Sequence, residues 1–335
     1  NARNILICKP FFSILSFFIY TRPKSIMLIH EGGGAMRPEF PKFKPIELED
    51  RDIIHEILWR YQPQISKLCF ANLYNWRHHY SVQWCTYKDV LLLLAKSAEG
   101  KFYAFPPVAQ QSRADAVRML LTWLRDEKQS PSPRIERADR RLVEELEGSP
   151  DFVVEPQREH HDYVYLREDL VNLSGRRYHS KKNHLNAFMK NYDFTYANLD
   201  ASHVDACLEL ASAWWMMKRC SDDMSLTSER EAVNEALSNF SALKLMGGVI
   251  LIEGSLEAFS IGELLNKDTA VVHIEKANPG IRGLYAAINQ QCCEHAWRQV
   301  TYINREQDLG EEGIRKAKLT YNPHHLVENF IISLA

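Results

Sequence analysis

Apolar positions in this chain fall into short blocks whose period changes repeatedly, and the changes come in a similar order twice. In the first pass FKPIEL reads as a short strand and residues 49–60 as an amphipathic helix, followed by three strands in SVQWCTY, DVLLLLAK and KFYAFPP. Residues 113–127, RADAVRMLLTWLRDE, carry the i, i+3, i+4 spacing of a helix laid on a sheet. After the turn SPSP come RIERA as a strand, DRRLVEELEG as a helix stopped by Gly148, and DFVVEP as a further strand.

The second pass follows a basic bridge at 175–192. DFTYANL is a predicted strand, residues 202–218 a helix with Ser202 as its N-cap, and 228–245 a second helix. KLMGGVILIEG, SLEAFSIGELL and TAVVHIEKA then form a meander of hairpins, with turns at Glu253-Gly254 and Asn266-Lys267-Asp268. A helix at 284–298, a strand at 300–304 and a helix at 311–319 complete the pattern.

Within the second pass, Glu263, His273, Glu275 and Lys276 interrupt apolar runs. Ionisable groups in half-buried strands are costly unless paired or functional, so the strand ends become the candidate site. Strict alternation along TAVVHIEKA puts His273 and Glu275 on one face. There a carboxylate can take the proton of an attacking amine while a neighbour orients it, which makes Glu263, Glu275 and His273 the catalytic candidates. The structural alternative is a set of salt bridges, Glu275 with Arg282 or Lys276 with Glu263.

Two further groups bear on donor binding. Asn278-Pro-Gly-Ile-Arg-Gly opens a helix, so Gly280, Arg282 and Gly283 stand where free N–H groups and the helix dipole favour an anion. Asn304, Arg305, Glu306 and Asp308 crowd the next strand-to-helix junction, with Arg315 and Lys318 one to two turns on and sharing a face. In the functional reading Arg305 and Lys318 grip a donor phosphate or acyl carboxylate and Asp308 recognises an α-amino group. In the structural one Asp308 caps the helix and Arg305 pairs with Glu306 or Glu312.

The sequence has 335 residues, 45% hydrophobic and 25% charged, with a net charge of −2. That suits two domains and argues against nucleic-acid binding over a wholly basic surface. A local basic patch remains at Arg176, Arg177 and the run 178–184, where Tyr178 and Tyr192 can stack on tRNA bases. The seven cysteines form no CxxC pair, which reads as reduced, cytoplasmic and without a metal. The His pairs 78–79, 160–161 and 324–325 read as surface or core residues, and Trp214-Trp215-Met216-Met217 as core. Residues 1–35 differ in composition and hold an apolar run too short for stable membrane insertion; they are expected to be a non-native or disordered extension before Met36.

The segments YHSKKNHLNAFMKNY, AFSIGELLNKDTAVVHIEKAN and YINREQDLGEEGIRKAKLTYNP resemble the bacterial family that shares the C-terminal domain of phosphatidylglycerol lysyltransferase. The resemblance runs from about residue 40 to 330. It implies an α/β, mixed-sheet fold of tandem GCN5-related N-acyltransferase-like domains: 36–174 as an N-terminal scaffold lacking a charged strand-end set, and 175–335 carrying the site. It also implies an acyl- or aminoacyltransferase that binds a small-molecule acyl donor and an amine or hydroxyl acceptor together. Acyl-CoA or aminoacyl-tRNA would be the donor, with no tightly bound cofactor. The spacing of Gly280, Arg282 and Gly283 departs from the coenzyme A loop of such folds, and the multi-span membrane region of the lipid enzymes is missing. A catalytically silent ligand-binding module on the same fold is the alternative, and the sequence does not set the oligomeric state.

Overall fold

Two mixed sheets carry the fold in the computed structural model, which describes residues 37–217 and 224–335. The expectation for residues 1–35 lies outside the described residues. The first sheet contains β1 (Lys44–Pro45), β2 (Gln83–Tyr87), β3 (Val90–Lys96), β4 (Phe102–Ala104), β5 (Arg134–Ala138), β6 (Phe152–Pro156) and β14 (Phe330–Leu334), ordered β1-β2-β3-β4-β5-β14-β6. The second contains β7 (Asp162–Leu166), β8 (Phe194–Asn198), β9 (Met246–Ile252), β10 (Ser255–Leu264), β11 (Thr269–Ala277), β12 (Tyr302–Asn304) and β13 (His325–Val327), ordered β13-β7-β12-β11-β10-β9-β8.

The apolar run of β3 is buried on both faces, which explains its lack of alternation. Leu92 and Leu94 pack with Val117, Leu120, Leu121 and Leu124 of the helix Ala114–Asp126. Leu91 and Leu93 face the other way, into a core shared with Val249, Phe259, Ile261 and Ile274 of the second sheet. A third cluster lies beyond the second sheet, under the helices His179–Asn191 and Leu284–His295. The two sheets therefore close one apolar layer between them.

The sheets also exchange strands. β7, which precedes residue 174 in sequence, pairs antiparallel with β12 and β13 in the second sheet. β14 returns to the first sheet and lies between β5 and β6.

Several expectations shift. Short helices at Phe70–Asn75 and Arg77–Tyr80 occupy a stretch the periodicity leaves unassigned, and β7, β13 and β14 are likewise additions. Asp200, not Ser202, supplies the capping carboxylate, accepting from Ser202 N, and the helix proper is Val204–Met217. The helix expected at 228–245 is Met224–Ser238. Trp215 is core as expected, but Met216 is 80% exposed. Cys69, Cys85, Cys207, Cys292 and Cys293 are buried and free. Among the described residues no helix is long and apolar enough to cross a membrane.

Candidate functional site

β11 and β12 run parallel for three pairs, ending at Val271↔Asn304, and then part. Beyond that point the chain after β12 stays with β7, through Arg305 N to Tyr163 O and Tyr163 N to Glu306 O. A wedge opens beside residues 272–277 of β11, and two side-chain contacts cross it, His273 with Glu306 and Glu275 with Arg305.

These contacts lie on opposite faces of the sheet, which corrects the expectation that His273 and Glu275 share one. The register with β10 runs Ser260↔Glu275 and Ile261↔Ile274, then jumps to Gly262↔Val272, leaving His273 as a bulged residue. A bulge inverts the alternation downstream of it. His273 consequently joins Glu263 and the shared core, while Glu275 faces the helix Leu284–His295.

On the first face His273 Nδ1 is 2.8 Å from Glu306 Oε1, and Nε2 is 3.1 Å from Glu263 Oε1 and 3.7 Å from Cys69 Sγ. Each ring nitrogen meets a carboxylate, so the ring is doubly protonated. Burial opposes that charge, but the surrounding Cys69, Glu263 and Glu306 outweigh it and raise the imidazole well above its usual range. Glu306 is lowered despite burial, through Lys67 and His273. Ala71 N donates to Glu263 and Asn72 Nδ2 to Glu306, so the helix Phe70–Asn75 of the first half closes this side. Asp162, fully buried, fastens the same junction by accepting from Ser66 N, Ser66 Oγ, Asn304 Nδ2 and Gln307 Nε2.

On the second face Arg305 Nη2 donates to Glu275 Oε1 at 3.0 Å, and its guanidinium lies 5.0 Å from the Tyr321 ring. Burial works against the guanidinium charge, and Glu275 restores it. Asn289 Nδ2 contacts the other oxygen of Glu275 at 3.4 Å, and Lys181 sits 4.2 Å over Tyr321. Lys318 Nζ donates to the Arg305 and Gln307 carbonyls, and burial lowers it to about 8.

The other predicted residues are placed differently. Asp308 is fully buried, with its oxygens taken by Tyr163, Arg158, Arg315 and Gly310 N. Lys276 meets Glu229, and Arg305 meets Glu275 instead of Glu306 or Glu312. Gly280 N is held by Asn278 Oδ1, and Arg282 is exposed. Gly283, at φ +89, is required for packing, because a Cβ there would lie 2.3 Å from the His184 carbonyl oxygen. Tyr178 is 1% exposed and cannot stack on a base, although Arg176, Arg177, His179 and Lys182 beside it are exposed.

Sequence reasoning did not single out Lys67, Cys69 or Asn72; their only signal was a short apolar run, LCFANLY. Cys69, Glu263 and His273 offer ligand atoms within 4.8 Å of one another, the spacing of a metal site. The thiol already donates to Ser66 O, burial pushes it up to about 12, and the carboxylates satisfy the ring without an ion.

Two sheets, each containing a parallel pair that parts, define a tandem acyltransferase-type fold of the GCN5-related kind. A conserved protein of unknown function from Bacteroides thetaiotaomicron VPI-5482 matches at TM-score 0.82 and 33% identity, over 90% of this chain and 100% of that one. The C-terminal domain of a putative lysylphosphatidylglycerol synthetase from Agrobacterium fabrum shares the fold at TM-score 0.59 and 13% identity, covering 85% and 91% of the two chains. An uncharacterized protein of Mycoplasmoides gallisepticum is 25% identical over 185 residues, a match covering 52% of this chain and 56% of that protein, so the chain spans about half the length of that relative. The chain belongs to the family described as phosphatidylglycerol lysyltransferase, C-terminal, whose model matches residues 59–333.

Proposed function

We propose that the protein transfers an aminoacyl group from a tRNA-borne ester to an amine or hydroxyl acceptor, with both substrates bound at once. The observation carrying this reading is the wedge between β11 and β12, in which a half-buried Arg305 and a carboxylate–imidazole set meet from opposite faces of one sheet. Two substrates can approach a common carbonyl through such a gap without displacing each other.

In this reading the donor lies on the Arg305 side, beneath the exposed basic residues of the 176–182 segment. Arg305 polarises the ester carbonyl and Glu275 holds it in place. The acceptor comes from the first-half side, where Glu263 takes its proton as nitrogen or oxygen bonds to the carbonyl carbon. His273, already protonated, supplies a proton to the departing ribose oxygen. An aminoacyl donor is favoured over acyl-CoA because Gly280 N–H is engaged and Gly283 is committed to helix packing, which leaves that loop a poor pyrophosphate cradle. The family's name also supports an aminoacyl donor.

The test is to incubate the protein with a labelled aminoacyl-tRNA pool and, in parallel, labelled acetyl-CoA, each with a cell extract as acceptor source. Enzyme-dependent movement of label from tRNA to product, lost in Arg305→Ala, is the expected result. Transfer from acetyl-CoA alone would overturn the donor assignment. A folded protein that moves neither label would leave the silent ligand-binding module.

A further inference from the structure

The first sheet repeats the geometry of the second. β4 and β5 run parallel for one pair, Ala104↔Ile135, before β5 continues beside β14. Against β14, β5 carries a bulge: Ile135 faces Ile332 and Ala138 faces Phe330, so Glu136 and Arg137 share the place of one residue. Arg137 stands two residues past the last parallel pair at φ +63, and Glu306 stands two residues past Asn304 at φ +56. The two residues hold equivalent positions in the repeat. Neither side chain suits a left-handed backbone, which costs each roughly 1–2 kcal/mol.

Glu306 has partners for its charge, whereas Arg137 makes no ion pair among the described residues. The residue is 8% exposed, and its Nη1 is buried without a hydrogen-bond partner among the described residues. An uncompensated guanidinium in a protein interior is strongly unfavourable. Arg137 lines a cavity of about 220 Å³ together with Arg134, Glu136, Gln157, His160, Asn329 and Ile331. His160 Nδ1 is also buried and unpartnered, and Arg134 is already bound to Glu136. A narrower slot links Arg137 to Lys67 and Asn72, which border the Glu306–His273 contact.

We propose that this cavity is a binding site for a ligand bearing a carboxylate or phosphate group, which pairs with Arg137 and accepts a hydrogen bond from His160. The first half, expected to be a scaffold, then carries a site of its own. On the reading of function given above, the cavity lies on the acceptor side, and its ligand is the acceptor's anionic group. Binding can be measured apart from that reading.

The experiment follows the melting midpoint of the full chain in inorganic phosphate and, separately, acetate, against sodium chloride at equal ionic strength. At about 20 mM oxyanion the midpoint should rise by about 2 °C relative to chloride, and the arm that responds distinguishes phosphate from carboxylate. Arg137→Gln should abolish the rise while melting, without ligand, no lower than the wild type, since it removes a buried charge that has no partner. No rise in either oxyanion, an equal rise in Arg137→Gln, or a ligand-free variant that melts well below wild type would each overturn the proposal. Loss of binding with transfer still detected would count against this site alone.

Discussion

His273 and Glu306 meet at 2.8 Å across the point where β11 and β12 separate, so the opening of the sheet is bridged by a charge-assisted hydrogen bond. Glu306→Ala leaves the protonated ring, Lys67 and Asn72 facing one another in a half-buried junction. It should cost about 3–5 kcal/mol in urea unfolding, with Glu306→Gln costing less. The pH dependence has two limbs. His273 is raised, so its contribution is fully present below its unfolded value near 6.5 and disappears as pH climbs through the higher folded value. Glu306 is lowered, so its contribution is present above about 4.5 and disappears in acid. Glu306→Gln should flatten the acid limb; an unchanged limb would contradict the assignment.

Lys318 makes the opposite kind of contribution. Burial lowers it from 10.5 to about 8, so keeping it charged in the folded state carries a penalty. That penalty is fully present below about 8 and fades as pH rises toward 10.5, so stability from this group increases across that window. Lys318→Met should remove the slope between those values in a denaturation series. An identical slope in the variant would show that another group is responsible.

Arg305 is expected to matter to transfer through geometry as well as charge. Arg305→Ala should lower single-turnover transfer by about 10²-fold or more, the scale seen when a preorganised donor is removed from a developing oxyanion. Arg305→Lys should not restore it, because an ammonium cannot reproduce the planar contact with Glu275 and Tyr321. Full activity in Arg305→Ala would remove it from the site.

The two loop glycines should separate cleanly. Gly283→Ala forces a Cβ against the His184 carbonyl at a positive φ and should destabilise by about 1–3 kcal/mol. Gly280→Ala meets only the Asn278 side-chain oxygen, at 3.2 Å, and should stay within about 0.5 kcal/mol. Equal losses on thermal melting would mean that the loop acts as a unit.

The parts legible in the sequence were those set by local periodicity. The helix Ala114–Asp126 and the hairpins of β9, β10 and β11 follow from spacing alone. The candidate site was legible as a region: Glu263, His273, Glu275 and Arg305 do converge on the wedge. Their division between faces was not, because one bulged residue reverses the alternation and leaves no compositional mark. Arg137 was hidden in the same way, since RIERA reads as a plain strand and the bulge at Glu136 and Arg137 leaves no mark in its composition. The exchange of β7 and β14 depends on contacts between distant parts of the chain, which period and propensity do not report.

That exchange has a consequence for how the protein is made. β6 has β14 as its strand neighbour, so residues 152–156 emerge from the ribosome long before residues 330–334, the segment they must pair with. Throughout that interval β5 presents an open edge next to an apolar face, the kind of surface that recruits other strands. Unfinished chains are therefore the aggregation-prone species, and the rate of translation through the second half bears on the yield of the first.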